Sequence, residues 1–129
     1  MILLVEDTED NRQMMKNLLE MSGYQVVEAT NGREAVDLAA RVKPEIILMD
    51  LSLTFIDGLA ATRQIRSLPG LSEVPIVAVS AHDSADFHSH ALEAGCNAYM
   101  TKPISFPELE ETVNSLLAKN AERTEPLKF

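Results

Sequence analysis

Cysteine is nearly absent from this sequence, and the single residue, Cys96, cannot form an internal disulfide. The start Met-Ile-Leu-Leu-Val-Glu-Asp lacks both the basic segment and the cleavage site of a signal peptide. No apolar run approaches the ~20 residues that a membrane-spanning helix needs. These absences argue against a disulfide-rich secreted domain and against a membrane protein, so we expect a cytoplasmic protein that makes no contact with a membrane.

Basic residues are also scarce, because eleven Lys and Arg stand against twenty Asp and Glu, which gives a net charge of -9. This balance argues against a nucleic-acid-binding surface, and we expect the partners to be proteins. The length of 129 residues and the 46% hydrophobic content suit one domain with a proper core. No internal repeat or low-complexity segment interrupts it.

Short apolar runs alternate along the chain with segments whose apolar residues recur at helical spacing. The predicted strands cover residues 2–5, 24–28, 46–49, 76–79 and 98–100. A helix is predicted after each strand, and the ends of these helices are marked by Ser22-Gly23, Asn31, Pro44, Asp57-Gly58, Pro69-Gly70, Gly95 and Pro107. Strict alternation with strands apolar on both faces predicts a parallel sheet covered by helices on each side. The sequence thus predicts an α/β fold of five βα units, with residues 1–119 as the domain and 120–129 as a helix end and short tail.

Methionine and histidine side chains are possible ligands or contact residues, but their positions favour simpler roles. Met14, Met15 and Met21 fall in the first predicted helix, and we expect them to face the core and not a partner groove. His82, His88 and His90 fall at or near the fourth predicted helix, where we expect solvated surface side chains.

Acidic residues end two of the buried strands. Glu6 and Asp7 follow the first strand, and Asp50 ends the third. If these strands are neighbours in a parallel sheet, their carboxyl ends bring the three carboxylates together. At ~5 Å and an effective dielectric of ~20, each carboxylate pair would repel by roughly 3 kcal/mol. A divalent cation would relieve that repulsion.

Two further polar groups belong to the same edge of the predicted sheet. Ser80 ends the fourth strand, and Thr101-Lys102-Pro103 follows the fifth. The complete set offers metal ligands, a carboxylate nucleophile, a hydroxyl donor and a positive counter-charge.

The motifs at these strand ends resemble those of the response regulator receiver domain of two-component signalling, over residues 1–119. The matching segments are Val5-Glu6-Asp7, Glu9-Asp10-Asn11-Arg12, Ile47-Leu48-Met49-Asp50, Asp57-Gly58, Val79-Ser80-Ala81 and Lys102-Pro103. The resemblance implies a flavodoxin-like doubly wound sheet with the strand order 2-1-3-4-5. It also implies a cis peptide bond between Lys102 and Pro103.

The resemblance implies a role for each residue at the strand ends. Asp50 is expected to accept a phosphoryl group, and Lys102 to contact it. Glu6, Asp7, Asp50 and the backbone carbonyl of Ser52 are expected to hold Mg²⁺. Ser80 and Tyr99 are expected to form a conformational switch.

The resemblance also implies partners and an output surface. The donor is expected to be a histidine kinase or a histidine phosphotransfer protein. The output is expected through the face formed by helix 4, strand 5 and helix 5, toward a protein target or a second copy of the chain. No DNA-binding or catalytic segment follows residue 119, which favours a stand-alone receiver or one excised from a hybrid kinase or longer regulator.

The residue types fit this chemistry independently of the family. A carboxylate is a weak nucleophile, so a metal and a lysine are needed to neutralise the oxygens of an incoming phosphoryl group. The product is an acyl phosphate, which is reactive enough to hydrolyse and therefore suits a transient signal. We expect a signalling phosphoacceptor that assists only its own phosphorylation and dephosphorylation, and no enzyme acting on other substrates.

Two departures and three alternatives accompany this interpretation. Thr54 stands where the family commonly has proline, and Ser52 and His82 are uncommon choices beside the site, which affects the expected lifetime of the phosphoryl group. A haloacid-dehalogenase-like phosphatase would carry a second Asp at the position of Ser52. A flavin-binding module would need a phosphate-binding loop after the first strand. A non-phosphorylated interaction module would be expected to lack one of the key groups.

Overall fold

The protein is a single layer of parallel strands between two layers of helices. The computed structural model describes residues 1–51, 55–82 and 84–124, without the side chains of residues 55–57 and 120–124. Strands and helices alternate along these residues: β1 Ile2–Val5, α1 Glu9–Met21, β2 Val26–Ala29, α2 Gly32–Val42, β3 Ile46–Asp50, α3 Phe55–Arg66, β4 Ile76–Ser80, α4 Ala85–Ala94, β5 Ala98–Thr101 and α5 Phe106–Thr124. None of the described helices combines the length and apolar character needed to cross a membrane.

The sheet has the strand order β2-β1-β3-β4-β5, and its paired strands are parallel. This confirms the α/β class and the flavodoxin-like order. In the register, Val5 lies beside Met49, and Ser80 lies beside Thr101. The carboxyl ends of β1, β3, β4 and β5 therefore share one edge of the sheet, where Asp50 and the other polar strand-end residues lie.

The core lies on both faces of the sheet because the strands alternate apolar residues between them. On β1, Leu3 and Val5 pack on one face, while Ile2 and Leu4 pack on the other. The first face is covered by residues of α2, α3 and α4, and the second by residues of α1 and α5. The central strands β1, β3 and β4 are thus buried from both sides, as the sequence predicted, while β2 and β5 are mostly half-buried.

Helix ends follow the residues that the sequence singled out. The side chain of Asn31 accepts a hydrogen bond from the backbone N–H of Glu34 at 2.9 Å and begins α2. Gly95 ends α4 in the left-handed region with φ 115°. Gly58 serves a different purpose, since a Cβ atom there would lie 2.2 Å from Cδ2 of buried Leu51. The glycine lets α3 pack closely on the residue that follows Asp50.

Some predicted boundaries and one predicted face differ from the structure. β2 begins at Val26, because the Tyr24 backbone N–H donates to the Leu19 carbonyl at 3.1 Å and keeps Tyr24 in the turn that ends α1. Helix α3 begins at Phe55 and α5 at Phe106, each slightly before the predicted start. Met15 is buried, but the prediction was wrong for Met14 and Met21, which are 55% and 84% exposed. The buried stripe of α1 follows Met15 and Leu19, four residues apart, so a neighbour such as Met14 turns outward.

Candidate functional site

Lys102 joins the two strand ends that carry the buried acids. Its ammonium Nζ donates to Oδ2 of Asp50 at 2.6 Å and lies 3.5 Å from Oε1 of Glu6. The Asp50 and Glu6 side chains are 6% and 1% exposed, and that of Lys102 is 24% exposed. Burial tends to lower the pKa of Lys102, but the contacts with Asp50 and Glu6 outweigh it and raise that pKa. Lys102 therefore stays charged and holds both carboxyl groups.

Glu6 is the most constrained acid of the site. Its Oε2 accepts a hydrogen bond from the backbone N–H of Thr8 at 3.0 Å. Its Oε1 is buried and accepts no hydrogen bond from the described part of the chain. Burial raises the pKa of Glu6 to about 7, and the neighbouring Asp50 carboxyl adds to the rise, while Thr8 and Lys102 oppose it. A buried carboxylate oxygen without a hydrogen bond is a suitable ligand for a hard cation.

The donor chemistry fits Mg²⁺, which prefers carboxylate and carbonyl oxygens. Glu6 and Asp50 supply buried carboxylates, and exposed Asp7 follows Glu6 directly. Among the residues that the structure describes, however, no three acid, histidine or cysteine side chains are close enough to form a metal site. The predicted convergence of three acids is thus seen for Glu6 and Asp50, and the role of Asp7 stays a prediction. Ser52 and Thr54 lie outside the described residues.

Ser80 and Tyr99 are linked through the backbone of a single residue, His82. The Ser80 hydroxyl is buried, and its oxygen accepts the His82 N–H at 3.1 Å. The Tyr99 hydroxyl donates to the His82 carbonyl at 2.8 Å. A shift of the Ser80 hydroxyl could therefore reach Tyr99 through the two peptide units that meet at the Cα atom of His82.

The Tyr99 ring is half-buried and stacks on the His88 ring with 3.9 Å between centroids. His88 is half-buried as well, while His82 and His90 are exposed as predicted and His82 stacks on Phe87 at 4.5 Å. The prediction of a solvated His88 was wrong, because the adjacent tyrosine ring covers it.

Sequence reasoning found the charged residues of the site but missed the backbone groups that hold them. These contacts are made by the backbone of Thr8 and His82, so the side chains of the two residues give no indication of them. The position of Thr8 as the N-cap residue of α1, directly after the acidic pair, was the one available indication. The Lys102-Pro103 bond is cis, as the family resemblance implied.

The raised pKa of Glu6 predicts a pH-dependent stability in metal-free buffer. Between pH 4.5 and about 7 the folded protein retains the Glu6 proton that the unfolded chain has already lost. The free energy of unfolding should therefore fall as the pH rises through this range. Glu6→Gln should flatten that fall, measured by urea unfolding in EDTA, while Glu9→Gln at an exposed position of α1 should leave it unchanged. An equal slope in the parent protein and Glu6→Gln would contradict this assignment.

Comparison with known proteins places this geometry in a family. The model of the response regulator receiver domain matches residues 2–114. The polar-differentiation response regulator DivK of Brucella anthropi is 38% identical over 116 residues, which cover 90% of this chain and 94% of that protein.

Solved structures show the same similarity. The receiver domain of the sensor histidine kinase PA1611 from Pseudomonas aeruginosa PAO1 is 36% identical with a TM-score of 0.83, covering 91% of this chain and 96% of that one. That structure has a magnesium ion coordinated in its active site cleft. The signal receiver domain of a signal transduction histidine kinase from Syntrophus aciditrophicus is 31% identical with a TM-score of 0.84, covering 99% and 96%.

The family match spans nearly the whole domain, and the strand order and the paired Asp50 and Lys102 agree with it. This chain belongs to the response regulator receiver domain family of two-component signalling.

Proposed function

We propose that the chain is a cytoplasmic phosphoacceptor, in which Asp50 takes a phosphoryl group from the phosphohistidine of a histidine kinase or phosphotransfer protein. The observation that carries the proposal is the 2.6 Å contact between Lys102 Nζ and Asp50 Oδ2, with Glu6 beside it in a buried site. A phosphorelay step of this kind breaks the donor's P–N bond and forms a bond between phosphorus and an Asp50 oxygen. The resulting aspartyl phosphate is the signal.

Mg²⁺ would be held by Glu6, Asp7, Asp50 and the backbone carbonyl of Ser52, and when bound it neutralises charge on the phosphoryl oxygens. The magnesium ion in the related PA1611 receiver domain supports this assignment. Lys102 supplies the second positive charge. Its ammonium, which contacts Asp50 Oδ2 in this structure, can instead contact an oxygen of the phosphoryl group attached to Asp50. Thr8 keeps Glu6 in place through its backbone N–H during the reaction.

An aspartyl phosphate carries about -1.5 to -2 charges in place of the single charge of the Asp50 carboxylate, and it brings three strong acceptor oxygens to this edge of the sheet. The Ser80 oxygen accepts the His82 N–H, and its hydroxyl hydrogen can still donate to a phosphoryl oxygen. Ser80 would then move the His82 N–H and, through the His82 Cα atom, the His82 carbonyl, which accepts from the Tyr99 hydroxyl. Tyr99 packs against the core in this structure. The phosphoryl group would act by changing the relative populations of this arrangement and an alternative one.

The output would leave through the face formed by α4, β5 and α5, where a target protein or a second copy of the chain can dock. Tyr99 and His88 belong to this face, so a change at Ser80 alters a surface that a partner can contact. The chain would assist only its own phosphorylation and dephosphorylation. A haloacid-dehalogenase-like phosphatase is the less favoured reading, because Ser52 replaces the acid that such an enzyme needs two residues after its nucleophile.

Phosphorylation at Asp50 can be tested with acetyl phosphate and Mg²⁺ followed by intact mass measurement. We expect one phosphoryl adduct in the parent protein, none in Asp50→Asn and none in EDTA. Asp37→Asn is the matched control, because Asp37 is an exposed acid on α2 and should leave the adduct unchanged. An adduct that persists in Asp50→Asn would overturn the assignment, and one that forms equally in EDTA would overturn the metal requirement.

The switch can be tested by amide NMR with beryllofluoride, an acyl-phosphate mimic. We expect shifts at Leu51 and at residues 98–100 in the parent protein. In Ser80→Ala the shifts near Leu51 should remain, while those at residues 98–100 should shrink. The lost charge-assisted hydrogen bond is worth roughly 1.5 to 3 kcal/mol, or about ten- to hundredfold in the switch equilibrium.

Ser89→Ala is the control for the switch, because Ser89 is exposed on α4 and contributes no contact to His82 among the described hydrogen bonds. Its NMR response should match that of the parent protein. Equal movement of residues 98–100 in Ser80→Ala and the parent would show that Ser80 does not carry the signal.

A further inference from the structure

Arg12 contacts the peptide unit that joins the two consecutive acids Glu6 and Asp7. The guanidinium Nη1 donates to the backbone carbonyl of Glu6 at 3.1 Å. The Glu6 N–H, on the other side of the same residue, donates to Ala29 of β2 at 3.0 Å. Arg12 therefore holds the chain just where β1 has ended and the loop to α1 begins.

Glu28 of β2 fixes the other side of the same guanidinium. Arg12 Nε lies 3.3 Å from Glu28 Oε1, and the Arg12 side chain is only 17% exposed. Lys16, one helical turn further along α1, reaches the second Glu28 oxygen at 3.3 Å. The planar guanidinium of Arg12 has several N–H donors in a fixed fork and can contact both β2 and the loop. The Lys16 ammonium has a described ion pair with Glu28 alone.

We propose that Arg12 is a positioning residue for the metal-binding acids, a role that rests on the proposed Mg²⁺-dependent function. The Glu6 carbonyl and the Asp7 N–H belong to one planar peptide unit. Holding that carbonyl fixes the plane from which the Asp7 side chain emerges, and it also restrains the backbone of Glu6. The Glu28 ion pair keeps the guanidinium in the orientation that this contact requires.

The sign of the expected effect separates positioning from simple electrostatics. Removing a positive charge near a cation site should strengthen the attraction of Mg²⁺ if Coulomb forces alone decide the affinity. Loss of a group that orients metal ligands should weaken binding, typically by 10- to 100-fold. The positioning role thus predicts weaker binding from a substitution that makes the site more negative.

The test is a calorimetric Mg²⁺ titration of the unphosphorylated full chain. Arg12→Gln and Lys16→Gln remove the same charge from the same helix and from the same partner, Glu28, but only Arg12 contacts the Glu6 carbonyl. We expect the Mg²⁺ dissociation constant to rise at least tenfold in Arg12→Gln and to stay equal or fall in Lys16→Gln. Arg12→Lys, which keeps the charge without the fork, should recover only part of the affinity.

Unfolding midpoints in EDTA separate this effect from a general loss of stability. If Arg12→Gln does not fold, Arg12→Lys replaces it, because this variant keeps the positive charge but loses the guanidinium, so Coulomb forces alone predict an unchanged Mg²⁺ affinity. We expect severalfold weaker Mg²⁺ binding there as well. Equal Mg²⁺ affinity in a folded Arg12 variant and in Lys16→Gln would overturn the positioning role alone. A parent protein that does not bind Mg²⁺ would overturn both this role and the proposed metal dependence.

Discussion

The contact of one half-buried lysine with two carboxyl groups is the interaction on which the site depends. Lys102 contacts Asp50 and Glu6, which come from neighbouring parallel strands whose like charges would otherwise repel at close range. Burial strengthens the contact and at the same time raises the pKa of Glu6 to about 7. The described site therefore holds two carboxyl groups and one lysine, and in the proposed function both Mg²⁺ and a phosphoryl group would act on that charge balance.

The parallel sheet makes this arrangement possible by collecting the strand ends at one edge. Its central strands β1, β3 and β4 are buried on both faces and carry polar groups only at or just after their last residue. The residues proposed for phosphoryl transfer and those proposed for the switch then lie in different loops. Glu6 is held by the loop before α1, while Ser80 and Tyr99 meet at the backbone of His82 before α4. In the proposed function, separate loops would allow the signal to change the output face without disrupting the phosphoacceptor site.

Much of the fold and the charged part of the site could be predicted from the sequence. The apolar runs predicted the positions of the strands. Asp50 and Lys102 were predicted as site residues because charged side chains at the ends of buried strands need a partner. The exposure of Met14 depends on how α1 is rotated about its axis, and the burial of His88 depends on the neighbouring Tyr99 ring. The spacing of apolar residues in the sequence resolves neither. The links through Thr8, His82 and the Glu6 carbonyl are backbone contacts, and backbone groups are identical in every sequence. The order of the strands followed from the family resemblance and not from the residue pattern.

The most direct test of this charge balance is a carbon-13 NMR titration of the Glu6 carboxyl, with and without Mg²⁺. The account predicts a midpoint near pH 7 in EDTA and a lower one with Mg²⁺, because a bound cation favours the ionised carboxylate. A Glu6 carboxyl that titrates at its ordinary value in EDTA, or that is insensitive to Mg²⁺, would contradict it.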